Sequence, residues 1–143
     1  MALDAQRLDM IRANAAFAIG ELADVSETEF GLDAASVDWT DGFLERQRDL
    51  LDPDGAGGIV NVVGSYLGEA IIAAAPGAHW DTDDDGAICI AFANGDMAYP
   101  FAKVAKQLDE GAEGGESILS FYIVCVNQIA TGQLGKAAKE GAP

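Results

Sequence analysis

Basic residues are what this sequence most lacks. It has eight lysines and arginines against 24 aspartates and glutamates, a formal charge of −16 over 143 residues. Nucleic-acid binding rests on cations set against phosphates, and anionic bilayers attract the same cations. Both partners are disfavoured by charge, whereas solubility and a basic protein partner are favoured. Histidine is nearly missing too, His79 being the only one. Machinery built on an oriented imidazole therefore has one position to work from, and no serine or cysteine stands with it in a recognisable pattern. VGSYLG (63–68) is no nucleophile elbow, because position 63 is valine where that turn needs glycine.

Cysteine is scarce. Cys89 and Cys125 both sit in apolar runs, as buried thiols do, and they make no disulfide framework. No long apolar run is unbroken: the most apolar stretch, 59–75, is interrupted by Asn61, Ser65 and Glu69, so no membrane span is expected. The opening MALDAQRLDM carries early acids and no apolar centre. A secretory leader is not expected, and a reducing cytoplasm is the expected location.

What is present is core material. Half the residues are hydrophobic, enough to fold residues 1–130 as a single domain. The stretch 131–143 is weakly patterned and is expected to fray. Leu8, Ile11, Ala15, Ala18 and Leu22 recur at helical spacing, giving a helix over 4–22. A loop follows, with a short extended piece at 30–32. Ser36 is placed to cap a second helix. Trp39, Phe43, Leu44, Gln47, Leu50 and Leu51 trace its inner face, and Asp41, Glu45 and Arg48 its outer one. Glu45 and Arg48 are spaced to pair. DPDGAGG ends that helix in a flexible turn.

Residues 59–75 read as a central helix, with Asn61, Ser65 and Glu69 as a narrow polar stripe and Gly64 and Gly68 as points of close approach. AICIAFA (87–93), NGD and MAYP then read as strand, hairpin turn and strand. Pro100 opens a helix that Gly111 closes, and 117–130 reads as a last helix. The predicted class is α+β, with four or five helices packed on a small antiparallel sheet.

DTDDDGAI (81–88) matches the start of an EF-hand loop: Asp81, Asp83 and Asp85 alternate and Gly86 follows. The twelfth position, which needs a bidentate glutamate, is Phe92, and strands flank the loop where helices are required. An aspartate-rich turn between strands explains the same residues. GAGGIV (55–60) has the glycines of a phosphate loop but neither its lysine nor its preceding strand, and Asp52 and Asp54 stand before it. Glu69 is the notable acid, in mid-helix among apolar neighbours. The expected arrangement pairs it with Arg46 or Arg48 across a helix hairpin.

The order WTDGFLERQRD, GSYLGEAIIAAAPGAHW, DGAICIAFANGDMAYPFAKVAKQL and GGESILSFYIVCV resembles a family of small bacterial domains of unknown function. Tyr66-Leu67-Gly68-Glu69, Gly77 with Trp80, and Pro100-Phe101 with Lys103-Val104 carry the likeness, over about residues 36–126. The matched positions are those of packing and turns. The resemblance implies no activity and no cofactor; in scale the family is similar to bacterial immunity-type and other interaction domains. Two functions follow as expectations. One is a non-catalytic interaction protein that neutralises a basic partner. The other is a small-ligand binder or enzyme using Glu69 with Arg46 or Arg48, and with Tyr66 beside it. A calcium site at Asp81, Asp83 and Asp85 is a third.

Overall fold

The first helix, α1 (Ala5–Ser26), begins where the Asp4 carboxylate accepts the Arg7 amide at 2.9 Å, an ordinary N-cap. The computed structural model describes residues 3–50 and 53–129. Ile11, Ala15, Ala18 and Leu22 form the buried stripe, as their spacing requires. The helix runs one turn past position 22 and stops at Glu27, in the left-handed region at φ 57°.

Helix α2 (Ala34–Arg48) is capped by Asp33, not by Ser36. The Asp33 carboxylate accepts the Ser36 amide at 2.8 Å, while the Ser36 hydroxyl accepts the Gly31 amide at 3.0 Å. No strand forms at 30–32. The Phe30 ring turns inward instead, 6.0 Å from Trp39 and 5.3 Å from Tyr66. The buried face of α2 is Val37, Thr40, Asp41 and Leu44. Trp39 and Phe43 lie at its half-covered edge, and Leu50 is 76% exposed. Leu51 lies outside the described residues. The face is rotated from the one expected because α2 packs against the last two helices through the side that carries Asp41.

Helix α3 spans Pro53–Ala74. Proline suits a helix's first turn, where its missing N–H has no partner to lose. The glycines at 55–58 therefore lie inside the helix, and neither a flexible turn nor a phosphate loop is present there. By length and composition Gly55–Ala74 is long and apolar enough to cross a membrane; in this fold residues 63–68, Ala70 and Ile71 are buried by protein. Gly64 and Gly68 have no room for a side chain. A methyl group on the first would strike the Phe101 ring, and on the second the Trp80 ring.

Three antiparallel strands follow in the order β1 (His79–Thr82), β2 (Ile88–Ala91) and β3 (Met97–Ala98). Trp80 pairs with Ile90, and Ile90 with Ala98. Helix α4 (Pro100–Glu110) starts on its proline as expected. A single 3-10 turn (Ala112–Gly114) leads to α5 (Ile118–Val124), which continues as a π-helical turn over Cys125–Ile129. The architecture is α+β, with five helices and a small three-stranded sheet among the described residues. Buried side chains from all five helices and the sheet join one cluster, with Leu44, Tyr66, Leu67, Ile71, Ile90, Val104 and Ile118 fully buried. The expected tail at 131–143 lies outside the described residues.

Candidate functional site

Glu69 meets neither expected arginine. Its Oε2 accepts the Trp80 indole N–H at 3.2 Å, and its Oε1 lies 3.9 Å from Nε of Arg12. The side chain is 21% exposed. The reason is in the packing: α3 lies mainly on α1 and α4, whereas α2 lies on α5 and α4. Glu69 therefore looks toward α1 and β1. Arg46 is drawn over the Trp39 ring at 5.3 Å, a cation–π contact. Arg48 pairs with Glu45 at 3.7 Å and donates to the carbonyls of Leu108 and Asp109 at the end of α4. Tyr66 is fully buried and donates its hydroxyl proton to the Gly31 carbonyl at 2.7 Å. Burial first, and the Asp33 charge second, push its hydroxyl well above the usual tyrosine range. The four residues of the expected ligand site thus belong to four separate contacts.

Sequence reasoning missed the most connected polar group. Asp41, placed on the outer face of α2 by periodicity, is buried to 9% exposure. One carboxylate oxygen accepts the Ser117 hydroxyl and the Leu119 amide, the latter at 3.2 Å. The other accepts the Gln107 side-chain amide. Gln107 is fully buried on α4 and also donates to Glu45 at 2.9 Å, while its own oxygen accepts the Ile118 amide at 2.8 Å. That last bond fixes which end of the amide is nitrogen. Glu45 accepts the Ala112 amide as well, at 3.2 Å. The cluster joins α2, α4 and the first turn of α5, and places negative charge where the helix dipole favours it. The legible signal was Gln107, a polar residue one turn on from Val104 on an otherwise apolar face.

The acidic hairpin spends its oxygens locally. Asp83 Oδ1 accepts the amides of Asp85 and Ala87, each at 2.9 Å, and Oδ2 accepts the Tyr99 hydroxyl at 2.9 Å. The Ala87 amide, then the Tyr99 hydroxyl, hold the Asp83 carboxyl below the usual range. Asp81 Oδ1 accepts the Thr82 amide at 2.8 Å, the leading cause of its own lowered value, and its Oδ2 lies 3.7 Å from Nε2 of His79. Asp85 is exposed. Phe92, at the position an EF-hand gives to glutamate, is a core residue. Among the described residues no three aspartate, glutamate, histidine or cysteine side chains gather to hold a metal ion.

Both cysteines are free and buried. Burial pushes the Cys125 thiol up to about 12, which keeps it in the unreactive form. Grooves open on the surface of the described residues. One of about 380 Å³ lies between α1 and the start of α3 and is lined by Phe17, Glu21, Phe43, Ile59 and Val62. A second, about 390 Å³, brings Arg7, Asn14, Asn61 and Ser65 beside Met10 and Phe101. This is where the upper part of the polar stripe on α3 faces. A third, about 360 Å³, sets Lys103 and Lys106 beside Tyr99, Phe121 and Cys125.

Comparison with models of protein families, with curated proteins and with solved structures finds no match to this chain.

Proposed function

We propose that this chain is a non-catalytic, acidic binding domain that neutralises a basic protein partner in the cytoplasm, in the manner of an immunity protein. The distribution of charge carries the reading. Between Arg12 and Arg46 the chain has eight acids and no lysine or arginine, and between Arg48 and Lys103 it has nine acids and none. Six acids of the first interval, Glu21, Asp24, Glu27, Glu29, Asp33 and Asp38, are exposed. By contrast, the acids with the best-formed contacts serve the fold. Asp41 anchors α5, Glu69 holds Trp80 and Asp83 shapes the hairpin. A surface of one sign speeds and strengthens encounter with the opposite sign, and salt screens it within about 10 Å at 0.1 M.

The test is capture of partners from the native cell, followed by rebinding of the purified candidate. Affinity should fall steeply between about 50 mM and about 500 mM salt. A partner whose binding is indifferent to salt, or that is itself acidic, would remove the basis of the reading.

A further inference from the structure

We infer that the groove between α1 and α3 seats the apolar face of a lysine- or arginine-bearing amphipathic helix of the partner. The inference rests on the binding function proposed above and gives it a place and a chemistry. The groove's walls are apolar: Leu22 and Val63 are buried at its base, and Ile59 and Val62 are half-buried. Phe17 stands at its edge at 59% exposure, a large ring left in water. A helix docking in such a groove inserts side chains spaced i, i+3, i+4 and i+7, and would cover the Phe17 ring, an aromatic of the kind that anchors interfaces once it is desolvated.

Charge selects the occupant. Among the described residues no lysine or arginine lines the groove, and Glu21 does. Asp24 and Glu27 continue the exposed acidic edge of α1. Arg12 of α1 lies beside Glu69, and Arg46 of α2 lies over the Trp39 ring. A helix with apolar residues on one face and lysines or arginines beside them can bury the first and reach Glu21 and Asp24 with the second. A second copy of this chain would bring another −16 to the contact, and an anionic lipid surface would be repelled in the same way.

The test uses three synthetic helical peptides of about 18 residues, close to the length of α1. One carries leucines at helical spacing with lysines elsewhere. The second has the same composition scrambled. The third has glutamate for lysine. Anisotropy is read on the whole chain and on Phe17→Ala and Ile59→Ala, with circular dichroism confirming that each variant is folded; Phe17 is exposed, so its removal should leave the fold intact. The leucine–lysine peptide should bind about tenfold tighter than its scramble, and Phe17→Ala should remove about that factor. Equal binding of both lysine peptides, untouched by Phe17→Ala, overturns the groove and leaves charge-driven binding standing. Failure of both lysine peptides to bind overturns the basic-partner reading itself. Concentration-dependent self-association that Phe17→Ala abolishes makes a second copy the occupant and also overturns the inference.

Discussion

The Trp80 indole N–H points at the Glu69 carboxylate, 3.2 Å away, and ties the first strand to the central helix. The two meet because Gly68 lets the Trp80 ring lie directly on the backbone of α3. The tie is a hydrogen bond to a charged, part-buried acceptor, worth about 1.5–3 kcal/mol. A double-mutant cycle of Glu69→Leu with Trp80→Phe, followed by urea unfolding, should show coupling above about 0.5 kcal/mol. The same cycle with Arg12 should give much less, since that side chain is 62% exposed and 3.9 Å away. Coupling of Glu69 to Arg48 in place of Trp80 would contradict the packing described.

Asp41 should be intolerant of both common replacements. Asp41→Ala leaves the Ser117 hydroxyl, the Leu119 amide and one Gln107 N–H without their acceptor, at about 2–3 kcal/mol. Asp41→Asn should be nearly as damaging, because one end of its amide is a donor and would face a donor whichever way it turns. Near-parental melting of the asparagine variant would show that the carboxylate is not needed there.

The Asp83–Tyr99 contact should give a stability window with two edges. The Asp83 carboxyl is held low by the Ala87 amide first and the Tyr99 hydroxyl next. Its contribution is therefore complete above the unfolded value of about 3.9 and lost as pH falls through the folded one. Tyr99 is pushed up, mainly by its hydrogen bond to Asp83. Its contribution is complete below the unfolded value of about 10 and lost as pH rises through the folded one. Removing the pair by Asp83→Ala with Tyr99→Phe should flatten both edges of the melting temperature against pH.

Calcium should not change the melting of chelator-treated protein at micromolar concentration. Both Asp83 oxygens accept hydrogen bonds within the hairpin, and Phe92 stands where the bidentate ligand belongs. Micromolar binding by calorimetry, abolished in Asp83→Ala, would reverse the assignment of this loop.

What was legible in the sequence was what neighbouring residues decide. Pro100 and Gly111 bound α4, the apolar run 87–93 and NGD place the second hairpin, and the 11–15–18–22 stripe sets α1. The α2 face was misread because its burial is decided by residues 107–119, far along the chain. Periodicity sees an aspartate, not the amides that arrive to meet it. The start of α3 was misread for a similar reason. Glycines cost a helix about 1 kcal/mol each against alanine, and packing of α3 on α1, invisible locally, offsets that cost. Glu69 stands out in the sequence by its apolar neighbours and is 21% exposed, but its partner depended on which helices are neighbours.

The Asp41 cluster sets an order on folding. Its acceptors lie on α2, and the amides that satisfy them come 66 to 78 residues later. While the chain is being synthesised, amino end first, α2 waits with this acid in water. Its inner face can close only once α4 and the start of α5 have emerged. Contacts of such separation slow the search for the native state. A chain cut short before Ser117 therefore loses more than its last helix. It also loses two of the three donors to the Asp41 carboxylate, the Ser117 hydroxyl and the Leu119 amide, and leaves that acid to Gln107 alone.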